Sequence, residues 1–156
     1  MKRQLRLPFC FSEKDVGEAE VVRRVLESWR VIAVVGLSNN PGRDSYGVAR
    51  YMQHHGYRIV PVNPNHAGET ILGETCHASL QDAADALQLE GKRIEIVDCF
   101  RRAEAIVPIA EAAIAVGARC LWMQLGIVNQ AAADQARAAG LEVVMDRCIK
   151  VDHAYL

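Results

Sequence analysis

The residues best suited to chemistry lie in a loop between a predicted strand and a predicted helix, from Gly36 to Tyr46. Backbone N–H groups of such a loop, together with the first turn of the helix, form a site for anions. Gly36 would let a ligand approach the main chain, and Arg43 would add a charge-assisted contact. Candidate donors to phosphate oxygens in the same loop are Ser38, Asn39 and Ser45. An ordinary long loop with a helix cap is the alternative interpretation.

Two features that bind NAD in many parallel α/β sheets are missing from this sequence. Gly36 is followed by Leu37 and Ser38 rather than by a second glycine, so the GxGxxG pattern is absent. The second predicted strand ends in Val62-Asn63-Pro64-Asn65, where a ribose-binding acid is expected. Such a carboxylate would repel a 3′-phosphorylated adenosine. Its absence favours a nucleotide with an extra phosphate, such as coenzyme A (CoA) or NADP.

Two further strand ends carry candidate ligand contacts. After the third long predicted strand (94–97), Phe100 could stack on a ring and Arg101 could pair with phosphate. Core packing is the alternative for Phe100, and a solvated helix face is the alternative for Arg102. After the fourth strand, Gln124 could bond a ligand amide and Gly126 would leave room for a chain to pass. An amide-bearing pantetheine arm would fit these two residues.

The cysteines and histidines show no metal or catalytic pattern. The cysteines are scattered without a CxxC pair, at Cys10, Cys76, Cys99, Cys120 and Cys148. This usage predicts reduced thiols in a cytoplasmic protein. Cys148 lies between Arg147 and Lys150, which suggests a mixed disulfide with CoA; a small buried residue is the alternative. We find no GxSxG, HExxH or P-loop motif and predict neither a metal site nor catalytic residues.

Composition predicts one soluble domain over residues 1–156, because 51% of the residues are hydrophobic and the length suits one core. The net charge of -1 gives no long-range attraction to nucleic acid or acidic membranes. No apolar run approaches the roughly 20 residues that span a bilayer. We therefore expect neither nucleic acid nor membrane as a partner.

Apolar strands alternate with short helices along the whole chain. The strands are predicted at 31–35, 57–62, 94–97, 120–125 and 141–145, with a minor strand at 71–72. Helices are predicted at about 12–29, at 79–87 and at 131–139, and two more end before Gly56 and Gly117. This order predicts an α/β, Rossmann-like three-layer fold with a five-stranded, mainly parallel sheet and helices on both faces. Ligands then bind at the carboxyl ends of the strands.

Taken together, five segments resemble the CoA-binding domain family, which is related to the nucleotide-binding domain of succinyl-CoA synthetase α-subunits. The segments are VVGLSNNPGRDSYGVARYM, IVPVNPN with the following GETILGE, IVDCFRRAEAIVPI, LWMQLGI and GLEVVMDRC. The resemblance covers nearly everything after residue 25. It implies a CoA site built from the first loop, with Pro41 and Tyr46 included, and from the other strand ends. Those further positions are Val62, Asn63, Pro64, Phe100, Arg101, Gln124 and Gly126.

The leading hypothesis is a stand-alone module that binds CoA or an acyl-CoA and has no catalytic residues of its own. The resemblance implies the CoA-binding part only, because succinyl-CoA synthetase carries its phosphorylated histidine in a further domain. One alternative is an NADP-dependent reductase or an enzyme acting on thioesters. Another is a subunit that docks a partner protein in the crevice, and a homo-oligomer is also open.

Overall fold

The structure, a computed structural model, describes residues 13–156 and the side chains from residue 17 onward. Ser12, the predicted helix start, and Cys10 lie outside the described residues. The helices are α1 (Glu13–Ser28), α2 (Asp44–His54), α3 (Leu80–Gln88), α4 (Ile106–Ala115), α5 (Gln130–Ala138) and α6 (Ile149–Ala154). The strands are β1 (Val31–Val35), β2 (Arg58–Val62), β3 (Thr70–Ile71), β4 (Glu74–Thr75), β5 (Ile96–Cys99), β6 (Cys120–Met123) and β7 (Glu142–Val144).

Five parallel strands form the main sheet, in the order β2-β1-β5-β6-β7. This confirms the predicted fold class. The chain leaves β1 toward α2 and leaves β5 toward α4, so the strand order reverses between these two neighbours. In open α/β sheets ligands bind in the crevice at such a reversal, beside the carboxyl ends of the strands.

Each face of the sheet is covered by a separate apolar core. One core contains residues of α3, α4 and α5, and the other contains residues of α1, α2 and α6. Both cores explain why all five residues of β1 are buried apolar side chains. Successive strand residues point to opposite faces, so Val97 and Cys99 belong to the first core and Ile96 to the second.

Several predicted boundaries were wrong by a few residues. Strand β6 ends at Met123 rather than Leu125, because the chain turns there and Ile127 N donates to the carbonyl of Gln124 (2.9 Å). The minor strand is Thr70–Ile71, not residues 71–72, since Leu72 adopts a positive φ of 53° in the turn to β4.

The short helix α6 was not predicted. It has six residues, of which only Ile149 is buried, so no apolar periodicity marks it in the sequence. Tertiary contacts hold it: Arg147 pairs with Asp152 (2.8 Å), and Tyr51 Oη of α2 lies 3.0 Å from His153 Nδ1. Within residues 13–156, no helix is long and apolar enough to cross a membrane.

Candidate functional site

The candidate site lies at the carboxyl edge of the sheet, where β1 and β5 end side by side. The two strands remain in contact beyond their last residues, because Phe100 N donates to Val35 O (2.9 Å). Gly36 N in turn donates to Val62 O of β2 (2.8 Å). The loops that follow the adjacent strands β2, β1 and β5 therefore lie close together at this edge of the sheet.

Gly36 is required by packing within the chain itself. Its φ is +91°, and a Cβ there would lie 2.4 Å from Phe100 O and 3.2 Å from Arg101 Nε. The sequence analysis expected the missing side chain to admit a ligand. The structure shows that it admits the backbone of the neighbouring strand end, which brings Phe100 and Arg101 close to the loop.

The loop after β1 is held by its own polar side chains. Ser38 N donates to Ser45 Oγ (3.0 Å), and Asn40 N donates to Ser38 Oγ (3.0 Å). Asn39 Nδ2 donates to Glu69 Oε1 (3.0 Å). Each hydroxyl keeps a hydrogen that it can donate. The first-turn N–H groups of α2, at Asp44 and Ser45, are without intrahelical partners.

A basic cleft of about 770 Å³ opens beside this loop. We call it the basic cleft because four cationic side chains and a single carboxylate, that of Asp44, line it. The cations are Arg43, Arg101, Arg102 and Lys150. This local excess is notable in a chain whose net charge is -1. It makes the cleft attractive to a polyanion.

An apolar hollow of about 540 Å³ lies on the other side of Arg101. Its lining includes Val62, Pro64, Leu80, Pro108 and Ile109. Arg101 lines both spaces, so its guanidinium marks the boundary between the hollow and the basic cleft. A ligand with a flat apolar ring and an anionic linker could occupy both.

Asn63 fixes Arg101 at that boundary. Asn63 is 5% exposed, and its Nδ2 donates to Leu37 O (3.1 Å). Its Oδ1 accepts from Arg101 Nη2 (3.2 Å) and from Asn65 N (3.0 Å). The residue that follows β2 is therefore a neutral amide that supports a cation, at the position where an NAD site would have an acid.

A buried pair, Asp98 and Gln124, lies under the basic cleft. Asp98 is 1% exposed and Gln124 is 4% exposed, and Gln124 Nε2 donates to Asp98 Oδ1 (2.6 Å). Burial raises the pKa of the Asp98 carboxyl to about 7, and the hydrogen bond from Gln124 opposes this rise. The analysis of the sequence missed Asp98, although an acid inside an apolar strand was a visible signal.

Half of the candidate residues line one or both of these spaces. Those that line the basic cleft are Pro41, Arg43, Phe100, Arg101 and Gln124, and those that line the apolar hollow are Val62, Pro64 and Arg101. The remaining candidates line neither space: Gly36, Ser38, Asn39, Ser45, Tyr46, Asn63 and Gly126. Gly126, with φ +84°, donates its N–H to Asp146 (2.6 Å) and has open space where a Cβ would be.

Helix α6 adds residues that local patterns did not indicate as ligand contacts, namely Lys150 and Val151. Cys148 lines the same cleft and is half-buried, whereas Cys76, Cys99 and Cys120 are buried. The two cations beside Cys148 each have a neighbour within the chain, although Lys150 also lines the cleft. Arg147 pairs with Asp152, and Lys150 Nζ lies 5.5 Å from the centre of the Tyr51 ring. In the described part of the chain, no cluster of His, Cys, Asp or Glu side chains could hold a metal ion.

Comparison with known proteins gives one family and close relatives. A family model described as "CoA binding domain" matches residues 30–154. Protein YneT of Bacillus subtilis (strain 168) is 39% identical over 141 residues, which cover 90% of this chain and 97% of YneT.

Solved structures share the fold over most of the chain. Prb, described as PH1109 protein redesigned for binding, has a TM-score of 0.80 and 36% identity, over 88% of this chain and 91% of that one. A hypothetical protein from Pyrococcus horikoshii OT3 has a TM-score of 0.79 and 32% identity, over 99% of each chain.

Proposed function

The chain belongs to the CoA-binding domain family, and on that premise we propose that it binds CoA or an acyl-CoA across the apolar hollow and the basic cleft. The observation that carries the proposal is the local charge: four cations and one carboxylate line the cleft of a chain with net charge -1. CoA carries a diphosphate and a 3′-phosphate, so a cluster of arginines and a lysine complements it.

Each part of CoA has a matching part of the site. The adenine ring is proposed to lie in the apolar hollow, against Pro64 and Ile109. The phosphates then meet Arg101, which lines both spaces, and next Arg43 and the loop N–H groups before α2, which lie along the basic cleft. The pantetheine arm runs along the basic cleft toward Phe100 and Gln124. Because the neutral Asn63 stands after β2, where an NAD site has an acid, no carboxylate at this position would repel the 3′-phosphate on the ribose.

We propose further that this chain binds its ligand without transforming it. The described residues that line the basic cleft include no histidine, and Asp98, the buried acid beneath it, is bonded to Gln124. Purified protein incubated with acetyl-CoA should release free thiol no faster than a buffer blank. Release that depends on protein concentration would identify a thioester-acting enzyme instead.

Titration calorimetry tests the binding itself. CoA and acetyl-CoA should bind with one site per chain, NADP more weakly, and NAD least, because NAD lacks the additional phosphate. Arg101→Ala should lower the affinity for CoA at least tenfold, since it removes a charge-assisted contact. Arg119→Ala is the matched control, because Arg119 is exposed just before β6, at the opposite edge of the sheet. Absence of heat with CoA at two temperatures, or tighter binding of NADP, would refute the proposal.

A further inference from the structure

The pair formed by Asp98 and Gln124 is placed by the sheet itself. Asp98 of β5 and Trp122 of β6 are paired and project from the same face, and Gln124, the first residue after β6, reaches Asp98 on that face (2.6 Å from Nε2 to Oδ1). That face carries α2 and α6, whose residues line the basic cleft together with Gln124. A buried carboxylate therefore lies directly behind a residue of the proposed binding site.

The chemistry of the pair decides which way the side-chain amide of Gln124 faces. Above pH 7 the Asp98 carboxyl is ionised and only accepts hydrogen bonds, so the NH2 group must face it, as in the 2.6 Å contact from Nε2 to Oδ1. The amide oxygen, Gln124 Oε1, accepts no hydrogen bond from the described residues. It is also not fully buried, so a donor can reach it. Oε1 is therefore the atom of Gln124 that is available to accept a hydrogen bond from a ligand in the basic cleft.

We propose that Asp98 is a positioning residue that holds the Gln124 amide with Oε1 toward the basic cleft, where it accepts a hydrogen bond from a secondary amide N–H of the ligand. The inference rests on the proposed function, because the pantetheine arm of CoA contains two secondary amides. It adds a determinant of specificity, since nucleotides without the arm have no such donor to offer. Asp98 itself does not touch the ligand.

A comparison of two ligands distinguishes contacts to the pantetheine arm from contacts to the nucleotide. CoA carries both, whereas adenosine 3′,5′-bisphosphate has the nucleotide and lacks the arm. At pH 8, Gln124→Met should weaken CoA about three- to tenfold, the usual effect of one lost hydrogen bond, and leave the bisphosphate unchanged. Gln130→Met, on the exposed start of α5, is the matched control and should change neither affinity.

A double-mutant cycle tests whether Asp98 acts through Gln124. Asp98→Asn removes the constraint, because an asparagine amide can donate to Oε1 as well as accept from Nε2. It should weaken CoA but not the bisphosphate, and it should have no further effect on CoA in the Gln124→Met protein. An equal loss in the presence and absence of Gln124, or a loss for both ligands, would show that Asp98 acts through the fold and would overturn the inference.

The wild-type protein gives a second measurement that does not depend on the folding of a variant. With 15N-labelled glutamine, CoA should shift the Gln124 side-chain NH2 signal, and adenosine 3′,5′-bisphosphate should leave it in place. An unmoved signal at saturating CoA would contradict the inference while leaving the proposed function intact. Failure of both ligands to bind the wild-type protein would refute the proposed function itself.

Discussion

Arg101 donates a hydrogen bond to Asn63 across the reversal of the sheet, with 3.2 Å between Nη2 and Oδ1. Asn63 is itself anchored on Leu37 O by its Nδ2 (3.1 Å). A neutral amide after β2 thereby positions the cation that separates the apolar hollow from the basic cleft. This relationship connects the missing ribose-binding acid with the proposed preference for phosphate.

Asn63→Asp should lower the affinity for CoA at least tenfold. The new carboxylate would pair with Arg101 and withdraw its charge from the phosphates, and it would repel them directly. Asn129→Asp is a matched control: Asn129 also donates to a backbone carbonyl, Ala103 O (2.8 Å), but lies outside both lining sets. Calorimetric titration with CoA measures both, and unchanged affinity in Asn63→Asp would exclude a phosphate contact for Arg101.

Gly36→Ala should destabilise the protein far more than Gly126→Ala. Both glycines have positive φ, so each substitution incurs the backbone cost of about 1–2 kcal/mol that a Cβ brings in the left-handed region. Only at Gly36 does the added Cβ also collide with a carbonyl oxygen, at 2.4 Å, while the position at Gly126 is open. Urea unfolding of the two variants compares them directly. Similar unfolding midpoints would show that the contact between Gly36 and Phe100 is not close in solution.

The buried Asp98 should make stability fall as pH rises from about 4 to about 7. Its pKa is about 7 in the folded protein against an ordinary 3.8, so over this range the folded state holds a proton that the unfolded state has released. The loss is on the order of 4 kcal/mol and is complete above pH 7. The neighbouring titratable thiols, Cys99 and Cys120, are also buried, and their pKa values are raised further above this range.

Asp98→Asn isolates this effect from the other carboxyl groups. The difference in unfolding free energy between wild type and variant should move in favour of the variant as pH rises, and then stay constant above pH 7. Chemical denaturation at pH 5, 6, 7 and 8 would measure it. A difference that does not change with pH would mean that Asp98 has an ordinary carboxyl pKa.

Cys148 should be the thiol that bound CoA protects from chemical modification. It lines the basic cleft, whereas Cys76, Cys99 and Cys120 are buried. In a Cys10→Ser background, which removes the cysteine outside the described residues, an aromatic disulfide reagent should modify one thiol in the native protein. Saturating CoA should slow that reaction at least severalfold. No protection by CoA would place Cys148 outside the ligand's path, and modification of a second thiol would show that Cys76, Cys99 or Cys120 is accessible in solution.

The same protein tests the suggested mixed disulfide. After incubation with CoA disulfide, thiol–disulfide exchange would join Cys148 to one CoA and release the other as a thiol. Mass spectrometry without reductant should then find one CoA adduct, which Cys148→Ser abolishes. Unmodified protein after incubation would remove this hypothesis and leave reversible CoA binding unaffected.

Local sequence determined the architecture of this protein. The run Val31–Val35 is apolar at every position, which is possible for a strand only when both faces are covered, and so it predicts a parallel sheet. The alternation of strands and helices placed the loops after β1 and β5 at one edge. The missing acid after β2 was also visible without coordinates, because it concerns the residue type at one position.

Tertiary structure alone decided how the site is assembled. The role of Gly36 depends on Phe100, and the orientation of Gln124 depends on Asp98, which is 26 residues away in the chain. Helix α6 brings Lys150 to the cleft, next to the preceding Cys148, although the helix is too short for its pattern to be predicted. Periodicity reports which face of an element is buried, but strand order and register decide which distant side chains meet. Those contacts determine the charge, the burial and the hydrogen bonding of the candidate site.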